Sequence, residues 1–270
     1  MKRRTLLTIT ASGVTGALLP GAARAEGSAI DAIRARGRLR AGLSTFVPWA
    51  MRDKQGGLIG FEIDVGNRLA KDLGVTYEPV PTAWDGIIPA LLAGTFDVII
   101  GGMTITPARQ ASVDFTEPYS FTGVGMVANR KTAGGARGVE AFNRPDFTIV
   151  GRRGVAAVQV AQKLFPNATI RQFDDDAQAL QELLNGRAQA LVSSTPKPAF
   201  AALDNKDELY LPIDEPLADQ KDAMAVRKGD TQTLAVLNDW IAARKADGWL
   251  RSRFAAWFET RDWRPLVAQG

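Results

Sequence analysis

The sequence predicts an α/β protein of two lobes, each built around a sheet of mostly parallel strands. Short apolar strands alternate with helices along most of the chain, which is typical of parallel strands connected by helices. A helix that ends in glycine, followed by a strand that ends in small residues, occurs over 91–102 and again 92 positions later over 183–194. We interpret this repeat as two lobes of like architecture, although two common helix–strand units could also match by coincidence.

Two short apolar stretches without a helix of their own, 123–127 and 223–226, fit crossings of the chain between the lobes. Paired crossings of this kind are where hinge motions between domains are absorbed. The expected division is 26–124 for the first lobe, 125–222 for the second lobe and 223–270 for the return to the first lobe.

Glycines mark the ends of the first helices. Gly37 and Gly74 stand where a left-handed residue ends a helix, and Ile63 and Leu69 recur at helical spacing before the second glycine. The elements predicted in this order are a helix over 28–36, a strand over 39–43, a helix over 62–73 and a strand over 76–80.

The next stretch, 84–115, organises the rest of the chain. Asp85 is expected to cap a short helix that Gly94 ends. The covered side of that helix is predicted to hold Ile87, Ile88, Leu91 and Leu92. The apolar run 98–100 follows as a strand buried on both faces, and Gly101 and Gly102 are expected to end it in a turn.

Arg109 lies in the first turn of the following predicted helix, where Thr106 is the N-cap and Pro107 the first helical residue. A cation there opposes the helix macrodipole and costs up to about 1 kcal/mol unless an anion compensates it. Free N–H groups, threonine hydroxyls and a guanidinium at the carboxyl end of a strand favour a small planar anion, most simply a carboxylate. The alternative is that Arg109 pairs with Asp114 or Glu117 on the surface.

The second lobe repeats the alternation. The elements predicted there are a strand over 148–150, a turn over 152–154, a helix over 155–165, a strand over 169–173, a helix capped within 174–176, the repeated strand, and a helix after Pro198. Two C-terminal helices over 231–258 carry apolar residues at helical spacing, so their tryptophans are assigned to the core.

The N-terminus has the features of an export signal. Three basic residues at 2–4 precede an apolar run at 6–19 and an A-x-A cleavage signature at 23–25, which predicts a signal peptide over 1–25. Arg3 and Arg4 resemble a twin-arginine signal, and an ordinary secretory signal is the alternative. The signal holds four of the 33 Lys and Arg residues, so removing it leaves 29 against 29 Asp and Glu residues. The pI of 9.5 therefore gives no reason to expect a nucleic-acid partner.

The chain contains no cysteine and no histidine. These counts exclude disulfides, thiol catalysis, lipid attachment at a cysteine, imidazole-based triads and histidine-ligated zinc. We expect no metal, no cofactor and no catalytic residue, and a mature protein that is exported, soluble and not inserted in a membrane.

Several motifs, in order, resemble the polar amino-acid family of periplasmic solute-binding proteins. They are FVP at 46–48, GFEID at 60–64, WDGIIPAL at 84–91, DV at 97–98, GMTIT at 102–106 with Arg109, DFTEPY at 114–119 and AVRKG at 225–229. The resemblance implies a two-lobed clamshell of the type II periplasmic-binding-protein fold that closes on a small solute. It also implies a periplasmic monomer that presents this solute to an inner-membrane ABC permease.

The resemblance further implies roles for particular residues. Phe46 and Trp84 correspond to aromatic walls of the pocket, Gly102 and Thr104 to contacts with the ligand, and Arg109 to the clamp on its α-carboxylate. In the second lobe, Arg152 corresponds to a residue that reads the ligand side chain, and the N–H groups of Val155 and Ala156 to further carboxylate contacts.

Two positions depart from the family pattern. Leu43 stands where many members carry an acidic residue, and Ser194 stands where the family places the aspartate that binds the α-ammonium group. Burying an ammonium group without a partner costs several kcal/mol. We therefore expect an acidic ligand, either a dicarboxylic amino acid or a carboxylate that lacks the amine. Asp219 or Asp222 could replace the missing partner, although solvent exposure is the simpler expectation for both.

An enzyme on the same scaffold is the alternative, because the resemblance extends to cyclohexadienyl dehydratase. That chemistry needs a general acid in the cleft, and the dehydratase places a glutamate just after the glycine turn of the second lobe. This chain reads VAAV at 155–158, so a binding protein is favoured over an elimination enzyme.

Overall fold

A mixed sheet runs through residues 27–267, the part of the chain that this computed structural model describes. The predicted signal peptide over 1–25 lies outside these residues. The strands are β1 (Arg38–Leu43), β2 (Met51–Arg52), β3 (Leu58–Ile59), β4 (Thr76–Pro81), β5 (Val98–Thr104), β6 (Val113–Phe115), β7 (Ser120–Asn129), β8 (Thr148–Arg152), β9 (Thr169–Phe173), β10 (Ala190–Ser194), β11 (Leu209–Tyr210) and β12 (Ala218–Arg227).

The sheet has two parallel groups with two crossing strands between them. Its main order is β4-β1-β5-β12-β7-β10-β8-β9. Strand β1 is parallel to β4 and β5, and β8 is parallel to β9 and β10. The long strands β7 and β12 are antiparallel to each other and to β10 and β5, respectively. The predicted α/β fold class, two parallel-rich lobes with two crossings, is confirmed.

The buried side chains form separate cores on either side of the crossing strands. One set of cores draws on residues between Ile30 and Tyr119 and between Met224 and Phe258, while another draws on residues between Met126 and Tyr210. The pairing of β7 with β12 is continuous from Ser120 to Val124. The division of the lobes after residues 124 and 222 therefore stays a prediction.

The helices cover the two parallel groups. They are α1 (Ala29–Arg36), α2 (Phe61–Leu73), α3 (Ile87–Leu92), α4 (Pro107–Gln110), α5 (Val139–Phe142), α6 (Ala156–Leu164), α7 (Asp176–Leu184), α8 (Lys197–Asp204), α9 (Thr231–Ala246) and α10 (Trp249–Phe254), which continues into a π-helical turn over Ala255–Glu259. The predicted glycine stops are confirmed, since Gly37 and Gly74 adopt left-handed φ values of 70° and 71°. None of the helices in this described part of the chain is both long and apolar enough to cross a membrane.

The prediction that Asp85 caps a helix is wrong. A 3₁₀ turn over Trp84–Gly86 precedes α3, and the Ile87 N–H donates to the Trp84 carbonyl. This turn places Asp85 within helical backbone, so its carboxylate makes no cap bond. The predicted burial of Leu92 is also wrong, because Leu92 is 49% exposed.

The prediction that Gly101 and Gly102 end a strand is wrong as well. Strand β5 continues through both glycines to Thr104, where it pairs with Asp222 of β12. Gly102 has a φ of 64°, and the register with β12 shifts between Ala223 and Ala225. Gly102 therefore lies in a β-bulge and not in a turn, and the bulge places Thr104 at the edge of the cleft described below.

Candidate functional site

A narrow cleft lies between the two parallel groups, and its free space of about 20 Å³ is close to that needed by one water molecule. Its lining contains Phe46, Trp84, Gly102, Thr104, Arg109, Arg152, Ala156 and Ser194, the eight residues selected from the sequence, together with Gly101 and Val155. Ligand sites have volumes of several hundred Å³, so the cleft must open before it can admit a small molecule. The eight residues are thus brought together, and their contact with a ligand remains a prediction.

The carboxyl ends of several strands position these side chains. Phe46 follows β1, Thr104 ends β5, Arg152 ends β8 and Ser194 ends β10. Ligands of α/β proteins bind at this end of parallel strands, because the connecting loops and helix N-termini converge there. Ala156 supplies such a terminus as the first residue of α6.

Arg109 points into the cleft. Its Nη1 donates to the Thr104 carbonyl at 2.7 Å, and its Nη2 donates to the Gly154 carbonyl at 3.0 Å. The residue is only 9% exposed, and burial lowers the pKa of its guanidinium to about 10, while the charge of Asp222 acts in the opposite direction. The surface alternative is wrong, because the carboxylate of Asp114 lies near Lys228 instead, at 3.6 Å.

The helix macrodipole does not make the position of Arg109 unfavourable, contrary to the prediction. The helix α4 has only four residues, so Arg109 belongs to its first and its last turn at once. A single turn has little macrodipole to oppose. The Thr106 side chain does accept from the Arg109 N–H, as the predicted cap requires, and this bond fixes where the arginine leaves the backbone.

Arg152 brings a second guanidinium to the cleft from the other side. It donates to the Ser44 hydroxyl and, at 3.3 Å, to the Thr45 carbonyl, so it connects β8 to the loop after β1. Burial lowers the pKa of Arg152, and the Asp176 carboxylate partly offsets that effect. The neighbouring Arg153 is half-exposed and pairs with Asp174 at 3.1 Å, so of the two adjacent arginines only Arg152 reaches the cleft.

A buried ion pair that the local sequence does not predict lies beside Arg152. The Lys197 Nζ lies 3.2 Å from the Asp176 carboxylate, which also lies 3.9 Å from the Arg152 Nη1. The aspartates at 174–176 were interpreted as a helix cap, and Asp175 does cap α7 by accepting from the Gln178 N–H. Nothing in the local sequence distinguishes Asp176, whose partners lie on other elements.

Asp222 is a second buried carboxylate near the site. It is 1% exposed and accepts from the hydroxyls of Thr104 at 2.9 Å and Thr122 at 3.0 Å. Burial raises the pKa of Asp222 to about 6, against the lowering effect of these hydrogen bonds and of Arg109. The expectation of solvent exposure is wrong for Asp222 and right for Asp219. Successive side chains of a strand point to opposite faces, and on β12 Gln220 and Asp222 share the buried face. This alternation is the sequence signal that could have predicted the burial of Asp222.

Glu62 lies deeper in the first parallel group. Its carboxyl accepts from the Tyr119 hydroxyl at 2.7 Å, and complete burial raises the pKa of Glu62 to about 8. The hydrogen bonds to Glu62 from the Tyr119 hydroxyl and from the backbone of Gly102 lower its pKa and so partly oppose that rise. Glu62 is therefore mostly neutral at pH 7 and adds little negative charge to the site.

Cations of the protein cover the aromatic walls of the cleft. The guanidinium carbons of Arg109 and Arg152 lie 5.5 Å and 5.8 Å from the centre of the Trp84 ring. The Lys197 Nζ lies 4.8 Å from the centre of the Phe46 ring. All three distances are within the range of cation–π attraction.

Comparison with known proteins gives a consistent picture. Residues 39–260 match the family model of bacterial extracellular solute-binding proteins, family 3. The L-cystine-binding protein TcyJ of Escherichia coli (strain K12) is 28% identical over 238 residues, which cover 87% of each chain. The L-arginine-binding protein of Pseudomonas aeruginosa is 29% identical over 76% of this chain and 81% of its own.

The similarity includes an enzyme and an ancestral precursor of that class of enzyme. The cyclohexadienyl dehydratase of Pseudomonas aeruginosa is 24% identical over 91% of this chain and 92% of its own. The crystal structure of the ancestral amino acid-binding protein AncCDT-1, a precursor of cyclohexadienyl dehydratase, is 38% identical. It superposes with a TM-score of 0.77 and covers 86% of this chain and 99% of the ancestral one.

Proposed function

The chain belongs to the bacterial extracellular solute-binding proteins, family 3, and from that premise we propose that it captures an acidic solute for an ABC importer. Relatives of this chain bind amino acids, L-cystine in TcyJ and L-arginine in the Pseudomonas aeruginosa protein. The proposal adds the ligand class, a dicarboxylic amino acid or a carboxylate that lacks the amine. It also adds the residues that bind the ligand.

The charge of the cleft lining is the observation that carries this proposal. Arg109 and Arg152 both line the cleft, and among its described lining residues none is a carboxylate. A cationic ligand would be buried beside two like charges, and burying an unpaired charge costs several kcal/mol. A carboxylate would instead gain charge-assisted hydrogen bonds from the guanidiniums.

The covered aromatic rings support the same conclusion. A ligand cation can be held against an aromatic face, but here Arg109 and Arg152 already lie over Trp84, and Lys197 lies over Phe46. We therefore do not expect this chain to bind arginine, although its Pseudomonas aeruginosa relative is an L-arginine-binding protein. An anion does not compete for these ring faces.

Each proposed contact has available donors. A guanidinium has five N–H donors, and Arg109 uses one from each of two nitrogens on backbone carbonyls, so others are free for a ligand carboxylate. The Thr104 hydroxyl and the N–H groups at the start of α6, at Val155 and Ala156, lie around the same cleft. Arg152 supplies donors for a second acidic group.

Closure of the lobes completes the proposed capture. Arg152 reaches across to the loop after β1, and Arg109 reaches across to Gly154, so both guanidiniums are shared between the two sides of the cleft. Excluding water from this space strengthens the attraction between guanidinium and carboxylate. Two crossing strands, β7 and β12, are the elements about which the lobes would move.

An elimination enzyme is the alternative function on this scaffold. Such a reaction requires a general acid within hydrogen-bond reach of the leaving group. The described lining residues include no carboxylic acid, and the oxygens of Asp222 are engaged by Thr104 and Thr122. These contacts favour binding over turnover.

Replacing Arg109 by alanine tests the proposed function. We expect glutamate, aspartate or a related dicarboxylate to raise the melting temperature of the wild type, and Arg109→Ala to weaken its binding at least about 30-fold. Losing one partner of a buried charged contact costs about 2–5 kcal/mol, and each 1.4 kcal/mol is a factor of ten in affinity. Calorimetric titration measures the affinity, and circular dichroism verifies the fold.

Arg153→Ala is the matched control, because this neighbouring arginine pairs with Asp174 outside the cleft. Its affinity should stay within a few-fold of the wild type. An Arg109→Ala affinity equal to that of the control would contradict the assigned contact. A screen in which lysine or arginine stabilises the wild type most would contradict the ligand class.

A further inference from the structure

Lys197 places an ammonium group of the protein against Phe46, a residue of the cleft lining, although Lys197 itself lies behind that lining. Its side chain is 16% exposed, and its Nζ lies 3.2 Å from the Asp176 carboxylate, whose side chain is 7% exposed. Burial lowers the pKa of Lys197, while the contact with Asp176 acts in the opposite direction. The geometry is that of a desolvated ion pair held between the start of α7 and the start of α8.

The same ammonium group covers an aromatic wall. Trp49 stacks on Phe46 with ring centres 4.4 Å apart and an interplanar angle of 21°. The Lys197 Nζ, 4.8 Å from the centre of Phe46, must therefore lie on the other face of that ring. Both faces of Phe46 are thus occupied by groups of the protein.

The carboxylates near the cleft are engaged in a similar way. Asp176 contacts Lys197 and Arg152, and it accepts from the Ser193 hydroxyl at 3.5 Å. Asp222 is engaged by two threonine hydroxyls. Asp85 and Asp175, whose charges also act on Arg152, are exposed on the surface.

We infer that Lys197 is a specificity-determining residue, because it occupies both the carboxylate and the aromatic face that a ligand ammonium group would need. The ligand class that follows is a dicarboxylate without an amine, with one carboxylate on Arg109 and the other on Arg152. This inference rests on the proposed function and narrows its ligand class. It assigns Lys197 a role that no comparison with relatives supplies.

A matched pair of probes tests this inference. Glutamate and 2-oxoglutarate differ in one group, an ammonium in the first and an oxo group in the second. We expect the wild type to bind 2-oxoglutarate at least about tenfold more tightly than glutamate in calorimetric titration. Tighter binding of glutamate by the wild type overturns the inference without any variant, and so does binding of neither acid.

Lys197→Met should change this preference. Removing the ammonium releases Asp176 and one face of Phe46, so we expect the ratio of the two affinities to move at least about tenfold toward glutamate. Lys197→Arg keeps a cation at the position and should keep the wild-type ratio. The double variant Asp176→Asn with Lys197→Met should lose the gain for glutamate, since the released carboxylate is then absent.

Lys163→Met is the control, because Lys163 is exposed on α6 of the same lobe. Its affinity ratio should equal that of the wild type. If Lys197→Met has the same ratio as this control, Lys197 does not determine specificity. If the wild type binds lysine or arginine and neither acid, both the proposed function and this inference fail. If it binds glutamate more tightly than 2-oxoglutarate, only this inference fails, so the two failures are distinguishable.

Discussion

Replacing Glu62 by glutamine tests whether one buried carboxyl controls the pH dependence of folding. The pKa of Glu62 is raised from 4.5 to about 8 because the side chain is completely buried. Below pH 4.5 the carboxyl is protonated in the folded and the unfolded chain alike. Between pH 4.5 and about 8 the folded chain keeps a proton that the unfolded chain has lost, so the free energy of unfolding falls as the pH rises.

The size of this effect follows from the two pKa values. Each pH unit between them is worth about 1.36 kcal/mol, so the full range corresponds to about 5 kcal/mol. Between pH 6 and pH 8 we expect a loss of about 2 kcal/mol, since the folded carboxyl begins to ionise near the upper limit. For a chain of this size, that loss lowers the melting temperature by about 4–8 °C.

Of the titratable groups that interact with Glu62, only Asp222 shares part of this pH range, since its pKa is about 6. The pKa values of Tyr119 and Tyr77 are both raised above the ordinary value of 10. The dependence of the free energy of unfolding on the ionisation of Asp222 falls mostly below pH 7, because its pKa is about 6. Glu62 therefore dominates the interval from pH 7 to pH 8 within this cluster.

Guanidinium-induced unfolding at pH 6, 7 and 8 and constant ionic strength measures the effect. The Glu62→Gln variant keeps an oxygen that can accept from the Tyr119 hydroxyl, and we expect its stability to be nearly constant over this range. Glu140→Gln changes an exposed carboxyl and should retain the wild-type slope. The reasoning is refuted if Glu62→Gln loses as much stability as the wild type between pH 6 and pH 8.

Two further predictions concern the backbone of β5 and the contact between the lobes. Gly102→Ala should destabilise the fold by several kcal/mol in chemical denaturation, because φ is 64° and the new Cβ would lie 2.3 Å from the buried Trp49 indole. Gly101→Ala, whose nearest contact would be 3.4 Å, should cost much less, and equal losses would contradict the argument. Asp204→Asn removes the ion pairs with Arg261 at 2.5 Å and Arg264 at 3.6 Å, which connect α8 to the C-terminal segment and would join the two predicted lobes. Calorimetry should show an affinity loss of up to about fivefold that high salt abolishes. Unchanged affinity at low salt would exclude a role of these pairs in closure.

Local signals in the sequence predicted most elements because their causes are local. Ser28 and Thr106 accept from N–H groups three residues later, and Gly37 and Gly74 need only their own φ to end a helix. The continuation of β5 through Gly102 could not be predicted in the same way. It depends on pairing with β12, more than 100 residues later in the chain.

The candidate site shows the same division between local and distant causes. The lining residues stand at the ends of strands that sequence patterns locate, so the fold brings them together. The partners of Asp176 and Asp222 could not be read from the chain, because Lys197 and Thr104 contact them only after several elements have packed. Burial of a charged residue is a property of its neighbours, and those neighbours are distant in sequence.

Desolvation of Arg109, and not its position at a helix start, is the physical basis of the proposed anion site. A one-turn helix supplies almost no opposing dipole, whereas burial lowers the pKa of Arg109 to about 10 and therefore disfavours its charged form. Neutral carbonyl oxygens of Thr104 and Gly154 accept two of its hydrogen bonds but carry no net charge. The nearest buried carboxylate, Asp222, is itself raised to a pKa of about 6 and divides its oxygens between two threonine hydroxyls. A carboxyl with a pKa of about 6 is mostly ionised at pH 7, so Asp222 supplies some negative charge near Arg109, and a ligand carboxylate in the cleft would add a charge directly on the guanidinium. The same argument applies to Arg152, whose partner Asp176 is shared with Lys197.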